Sequence, residues 1–176
     1  MGMYVCGPTV YKPSHVGHMV GPVIFDTIKR FLTYLGYDVS FVVNITDVDD
    51  KLIVESKKQN TTVTELAERV TEDYFANLKK LQVTTIDHFP RATHHIGEIL
   101  SMIQSLIDKG FAYEAAGDVY FRVVKSENYA QLANKTLADL EVGASGRVDN
   151  EADIKEHPFD FALWKSAKAG EVSWES

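Results

Sequence analysis

The sequence predicts an α/β fold built on a parallel sheet, and three observations carry the prediction. Met3-Tyr4-Val5-Cys6 is a short apolar run that closes on Gly7-Pro8, as a buried strand entering a turn does. From Val20 onward, Val20, Val23, Ile24, Ile28, Phe31 and Leu35 recur at helical spacing, and Gly36 supplies a stop signal. Val39, Phe41, Val42 and Val43 then form a second strand-like run. Two strands separated by a helix are how a βαβ unit with parallel strands is written.

The elements that follow have local signals of their own. After the loop Asn44-Ile45-Thr46-Asp47, Asp49 and Asp50 sit where a new helix begins and match the positive end of its dipole. Thr62-Val63-Thr64-Glu65 fits a capping box, and Leu66, Val70, Tyr74, Leu78 and Leu81 continue it as a long amphipathic helix. A further amphipathic helix follows Thr93, with Ile96, Ile99, Leu100, Ile103, Leu106 and Ile107 on one face, and ends at Lys109-Gly110. Phe111-Ala112-Tyr113 and Val119-Tyr120-Phe121 flank a turn around Gly117-Asp118, the pattern of a β-hairpin. The regular α/β texture therefore gives way to α+β from about Pro90 to Val148.

Composition narrows the function classes. The 176 residues are 45% hydrophobic, enough to bury a core for one domain, or one with a small insertion. A net charge of -7 argues against a stand-alone nucleic-acid binder, which needs a basic face to displace counterions. Cys6 is the single cysteine and cannot form an internal disulfide, so a reducing, cytoplasmic setting is expected. No stretch approaches membrane-spanning length, so no membrane partner is expected.

The chemistry concentrates at His15-Val16-Gly17-His18, between the first strand and its helix. Helix N-terminal amides and the dipole favour an anion there, and Gly17 lets a phosphate or adenine ring approach the backbone. Two imidazoles at that place can donate hydrogen bonds to phosphate oxygens as charge builds in a transition state. Gly7-Pro8-Thr9 has the turn chemistry to run beneath the same ligand. From the tetrapeptide alone, an anion site and a bland pair of capping histidines stand side by side. Asn44 and Asp47 read as Asx-type turn residues, and Asp47, Asp49 and Asp50 as a helix start rather than a calcium loop. Trp164 and Trp174 read as packing residues, not a base-stacking platform.

Five ordered motifs extend this picture: Tyr4 to Tyr11 running on to His18, Asn44 to Lys51, Pro90 to Ile96, Gly117 to Phe121 and Asp160 to Lys165. Together they resemble the cysteinyl-tRNA synthetase family of class I aminoacyl-tRNA synthetases. The resemblance implies a Rossmann-like sheet of the class I synthetase (HUP) type. Residues 1–89 would be the first part of the nucleotide-binding domain, 90–148 an α+β connective insertion, and 149–176 a return segment towards the catalytic domain. His15-Val16-Gly17-His18 then stands for the family's His-Ile-Gly-His signature. His15 and His18 would be catalytic, and Gly7, Thr9, His15, Gly17 and His18 nucleotide-binding.

The implied reaction joins the carboxylate of L-cysteine to the α-phosphate of ATP, with Mg²⁺, and passes the cysteinyl group to tRNA(Cys). Cys6, which by itself reads as a small buried hydrophobe, matches a Zn²⁺ ligand that would bind the substrate thiolate, and Thr46 matches a contact to the substrate cysteine. The remaining zinc ligands, the Lys-Met-Ser-Lys-Ser loop and most of the tRNA-binding region belong to a part of the family pattern that this sequence does not reach. A fragment, inactive alone, and a monomer are expected. His94 and His95 read as part of a helix start, not as replacement ligands. Lys12 stands where the family carries an acidic residue. The alternatives are a mycothiol-pathway cysteine ligase, with the same fold and adenylate chemistry, and a non-catalytic truncated paralogue.

Overall fold

The computed structural model describes residues 1–135 and 154–176, so the expected limit between 148 and 149 lies outside the described residues. The chain divides into two compact units, Met1–Ile96 and Gly97–Ser176.

The first unit opens with strand β1, Gly2–Val5, followed by helix α1, Val16–Tyr34, and strand β2, Ser40–Val43. β1 and β2 pair in parallel, with Gly2 opposite Ser40 and Val5 opposite Val43. The register carries on past the strands, because Thr9 forms a parallel bridge with Thr46. On the other side of β2, the segment around 87–92 runs parallel to it, with bridges Val42 to His88 and Ile45 to Arg91. The Val43 N–H donates to the His88 carbonyl and the Ile45 N–H to the Pro90 carbonyl. Proline has no N–H to return, which keeps this third line from becoming a full strand.

Helix α2, Asp50–Gln59, starts at its N-cap Asp49, whose carboxylate accepts from the Lys51 N–H. Helix α3, Val63–Lys80, starts with a reciprocal box in which Thr62 and Glu65 cap each other's backbone. It buries Leu66, Ala67, Val70, Tyr74 and Leu78, which join Val10, Met19, Ile45 and Leu52 in one core, and Thr71, whose hydroxyl donates to the Ala67 carbonyl. α1 behaves differently. Its apolar set Val20, Val23, Ile24, Ile28, Phe31 and Leu35 is exposed among the described residues, while Met19, Pro22, Asp26 and Lys29 are buried. Polar fastenings explain that orientation: Asp26 accepts from the Thr84 and Thr85 N–H groups, and Lys29 donates to the Thr85 carbonyl and to Asp87. Directional bonds fix a helix's rotation about its axis in a way that apolar burial does not.

In the second unit, helix α4, which starts at Ile96 and ends at Asp108, leads to the antiparallel strands β3, Ala112–Ala115, and β4, Asp118–Phe121. Both turn residues, Ala116 and Gly117, have positive φ, as a two-residue hairpin of this type demands. Strand β5, Phe161–Trp164, pairs antiparallel with β4 and completes a three-stranded sheet. Asp160 beside it is buried and accepts from the Tyr113 hydroxyl and the Val123 N–H. Trp164 and Trp174 lie with ring centroids 6.4 Å apart, at a tilt. Among the described residues, no helix is long and apolar enough to cross a membrane.

Candidate active site

The carboxyl ends of the two parallel strands and the start of α1 carry Cys6, Gly7, Thr9, His15, Gly17, His18 and Thr46, the site residues expected from the sequence. In open α/β sheets this is the edge where ligands bind. Asn44 ties the two strand ends together. Its Oδ1 accepts the Gly7 N–H at 2.8 Å and the Tyr4 hydroxyl at 3.0 Å, while its Nδ2 donates to Thr46 Oγ1 at 3.2 Å. The backbones are equally close: a Cβ on Gly7 would lie 1.7 Å from the Asn44 carbonyl oxygen, so only glycine allows the chains to pass. The Thr46 N–H donates to the Pro8 carbonyl and the Val10 N–H to the Thr46 carbonyl, which locks Thr9 against Thr46.

His15 is the N-cap of α1, five residues ahead of Val20, where the apolar repeat starts. Imidazole is not among the common capping groups, so the apolar repeat by itself does not mark this boundary, and only the His15-Val16-Gly17-His18 stretch points to it. The His15 Nδ1 accepts the Gly17 N–H at 3.1 Å, and the His18 Nδ1 accepts the His15 N–H at 3.3 Å. The two rings stack with centroids 3.9 Å apart. A nitrogen that accepts an N–H carries no proton, so each neutral ring holds its proton on Nε2, on the far side from the cap. Capping engages Nδ1 of each ring, so it does not exclude a ligand at Nε2, and the two alternatives left open by the sequence are compatible. A Cβ on Gly17 would meet His15 Cε1 at 2.9 Å, so this glycine also makes room for the ring.

Desolvation, and next to it the charge of His15, lowers the pKa of His18 and favours its neutral form. Ser14, just before the cap, donates its N–H to Asp73 of α3 at 3.3 Å, which holds the loop from the opposite side. The Lys12 ammonium lies 5.7 Å from the centroid of the Tyr11 ring.

Cys6 is exposed, with its Sγ 3.7 Å from the Gly7 carbonyl. Among the described residues no group of three His, Cys, Asp or Glu side chains could hold a metal ion. One thiolate is one corner of a tetrahedral zinc site, and these residues do not fit zinc by themselves.

The structure gives Asn44 and Asp47 larger roles than turn residues. Asp47 is buried, and its carboxylate accepts the Thr93 N–H at 3.0 Å and the Thr93 hydroxyl at 2.6 Å. It thereby holds the short 3₁₀ turn Ala92–His94 in place. Both were legible as polar residues at a strand end, but their partners, 37 and 46 residues away, have no local signature.

The family model described as the class I tRNA synthetase (C) catalytic domain matches residues 1–176. A cysteine--tRNA ligase of Streptococcus pyogenes (serotype M28) is 55% identical over all 176 residues. One from Streptococcus thermophilus is 51% identical over the same span. The chain covers 39% of the length of each of these relatives. Among solved structures, the LeuRS of Agrobacterium radiobacter K84, in a ternary complex with tRNA and LeuAMS, superimposes with a TM-score of 0.57. It covers 70% of this chain and 17% of its own at 17% identity, a likeness of fold.

Proposed function

The chain belongs to the class I tRNA synthetase (C) catalytic-domain family, and we propose that it is the amino-terminal portion of an enzyme that activates L-cysteine with ATP and transfers it to tRNA(Cys). The observation that carries the reading is the pair of imidazoles at the start of α1, each bound to the helix backbone through Nδ1, which leaves Nε2 as the proton-bearing nitrogen of the neutral ring.

In the proposed reaction a carboxylate oxygen of cysteine attacks the α-phosphorus of ATP, the bond to the bridging oxygen breaks, and pyrophosphate leaves. Negative charge grows on the phosphoryl oxygens as this happens. Two Nε2–H donors held by backbone bonds would meet that charge with little reorganisation, which is the main source of catalysis by fixed dipoles. Gly7 and Thr9, on the turn after β1, would line the nucleotide, with Gly17 leaving space beside the first ring. Mg²⁺, when bound with ATP, would neutralise charge on the phosphates.

For the amino acid we propose Thr46 as a hydroxyl contact and Cys6 as one ligand of a Zn²⁺ whose other ligands come from elsewhere in the protein. The family reading also assigns 90–148 to a connective insertion and 149–176 to a return segment, and it places a monomeric enzyme in the cytoplasm. The tRNA would be held mainly by other parts of the protein.

The decisive experiment is ATP–pyrophosphate exchange by the full-length protein with each amino acid in turn. Exchange that depends on cysteine and is lost in a His15→Asn, His18→Asn double variant is the expected result. Exchange driven by a different amino acid would overturn the substrate assignment.

A further inference from the structure

We propose that Asn44 is a positioning residue that sets the direction of the Thr46 hydroxyl and so determines how the amino-acid substrate is gripped. The inference rests on the reading of Thr46 as a substrate contact.

Two donors, the Gly7 N–H and the Tyr4 O–H, converge on one side of the Asn44 side chain. Only an oxygen can face them, because the reversed amide would set NH₂ against an N–H. The NH₂ is therefore turned to Thr46, and Thr46 Oγ1 must accept from it. A hydroxyl has one hydrogen and two lone pairs. With one lone pair engaged by Asn44, the hydrogen is directed elsewhere, available to an acceptor on the substrate. The Thr46 backbone cannot compensate by moving, since its N–H and C=O are both bonded to the 8–10 segment.

The sequence of constraints runs Tyr4 and Gly7 to Asn44 to Thr46, so the same side chain that closes the β1–β2 seam also fixes a donor at its edge. The apparent redundancy of Tyr4 has the same explanation. An exposed tyrosine at 65% accessibility adds nothing to the core, yet its hydroxyl reinforces the orientation of the Asn44 oxygen.

Asn44→Asp separates positioning from seam closure. The carboxylate still accepts from Gly7 and Tyr4, but it can no longer donate to Thr46; the Thr46 hydrogen turns towards it and away from the substrate. In exchange assays on the full-length protein, N44D should raise KM for the amino acid about tenfold, the scale of one hydrogen bond to a charged group. KM for ATP should stay within about twofold. Thr46→Val should produce a similar shift, and N44D combined with T46V should be no worse than T46V alone, because the two act through one contact.

Tyr4→Phe, which leaves the seam bond to Gly7 intact, serves if N44D folds poorly, and should raise the amino-acid KM by about two- to threefold. Additive effects of N44D and T46V, or equal shifts in the two KM values, would overturn the proposal. If exchange depends on an amino acid other than cysteine, the same selective KM shift for that amino acid upholds the role of Asn44 while the cysteine reading fails. No exchange with any amino acid removes both.

Discussion

α1 and α3 open in the same way and pack in opposite ways. Each begins with a reciprocal capping box, Thr62 with Glu65 in α3 and His15 with His18 in α1. From there α3 turns its apolar stripe inward, and α1 turns inward a strip containing Asp26 and Lys29 while Val20, Ile24 and Phe31 stay exposed among the described residues. A helix that only fills a core is held by apolar area, which tolerates small rotations. α1, whose first turn carries two imidazoles, is held by directional bonds to the 82–87 segment, and its apolar periodicity does not reveal which face those bonds select.

The largest effects should fall on the α3 side. Leu66→Ala removes a fully buried side chain and should cost about 2–5 kcal/mol in urea unfolding. Ile24→Ala, on the exposed face of α1, should change stability by no more than about 0.5 kcal/mol in the chain of 176 residues. The contrast breaks if the two losses are equal, which would mean that the α1 face is covered.

His15→Asn keeps an acceptor near the Nδ1 position and loses the distant Nε2–H. Exchange by the full-length protein should fall about 10²–10³-fold while the melting temperature barely moves. Thr62→Ala should do the reverse, costing about 1 kcal/mol of stability and leaving the exchange rate alone. If His15→Asn destabilises the protein as much as Thr62→Ala, the first box is only a cap.

Acid should distinguish the two faces with a smaller effect. Burial opposes ionisation of Asp26, but hydrogen bonds from Arg30 and Thr85 outweigh it and hold the carboxyl below its ordinary value. Asp87 is lowered as well, first by its bond from Lys29 and then by that from the Phe41 N–H. A group with a depressed folded value contributes stability above the ordinary carboxylate pKa of 3.8, and the contribution fades as pH falls through the lower folded value. Asp26→Asn should therefore cost about 1.5–3 kcal/mol at neutral pH and flatten the loss of stability below pH 4. A melting curve with the same acid slope as the parent would exclude the Asp26 fastening as the origin.

These contrasts mark what the sequence could reveal. The strands, the Thr62 box, the Asp49 helix start and the hairpin rest on short-range chemistry, and they lie close to where the pattern puts them. The start of α1 falls earlier than its apolar repeat, and it was legible only through the His15-Val16-Gly17-His18 stretch. The third line of backbone beside β2 was hidden by Phe89-Pro90, where a strand pattern breaks although the carbonyls still pair. At the candidate site, Gly7, Thr9, His15, Gly17, His18 and Thr46 could be proposed from motifs. The link that orders Thr46 could not, since Asn44 reaches back 37 residues to Gly7.

The smallest effect concerns a cost carried within the α3 core. The Tyr74 hydroxyl is the buried side-chain polar atom without a hydrogen-bond partner among the described residues, and burial pushes its pKa up to about 12. Removing that hydroxyl leaves the ring's packing intact and relieves a desolvation penalty, so Tyr74→Phe should be neutral or stabilising by up to about 1 kcal/mol. Its pH dependence identifies the cause. The unfolded tyrosine ionises from about pH 10.0 while the folded one resists, so stability should decline from there upward through about 12. The Phe variant should lose that portion of the alkaline slope. A variant that is instead less stable by more than about 1 kcal/mol would mean that the hydroxyl makes a favourable bond in the folded protein; the core of α3 would then share with α1 a dependence on directional contacts, and the distinction between the two helices would narrow.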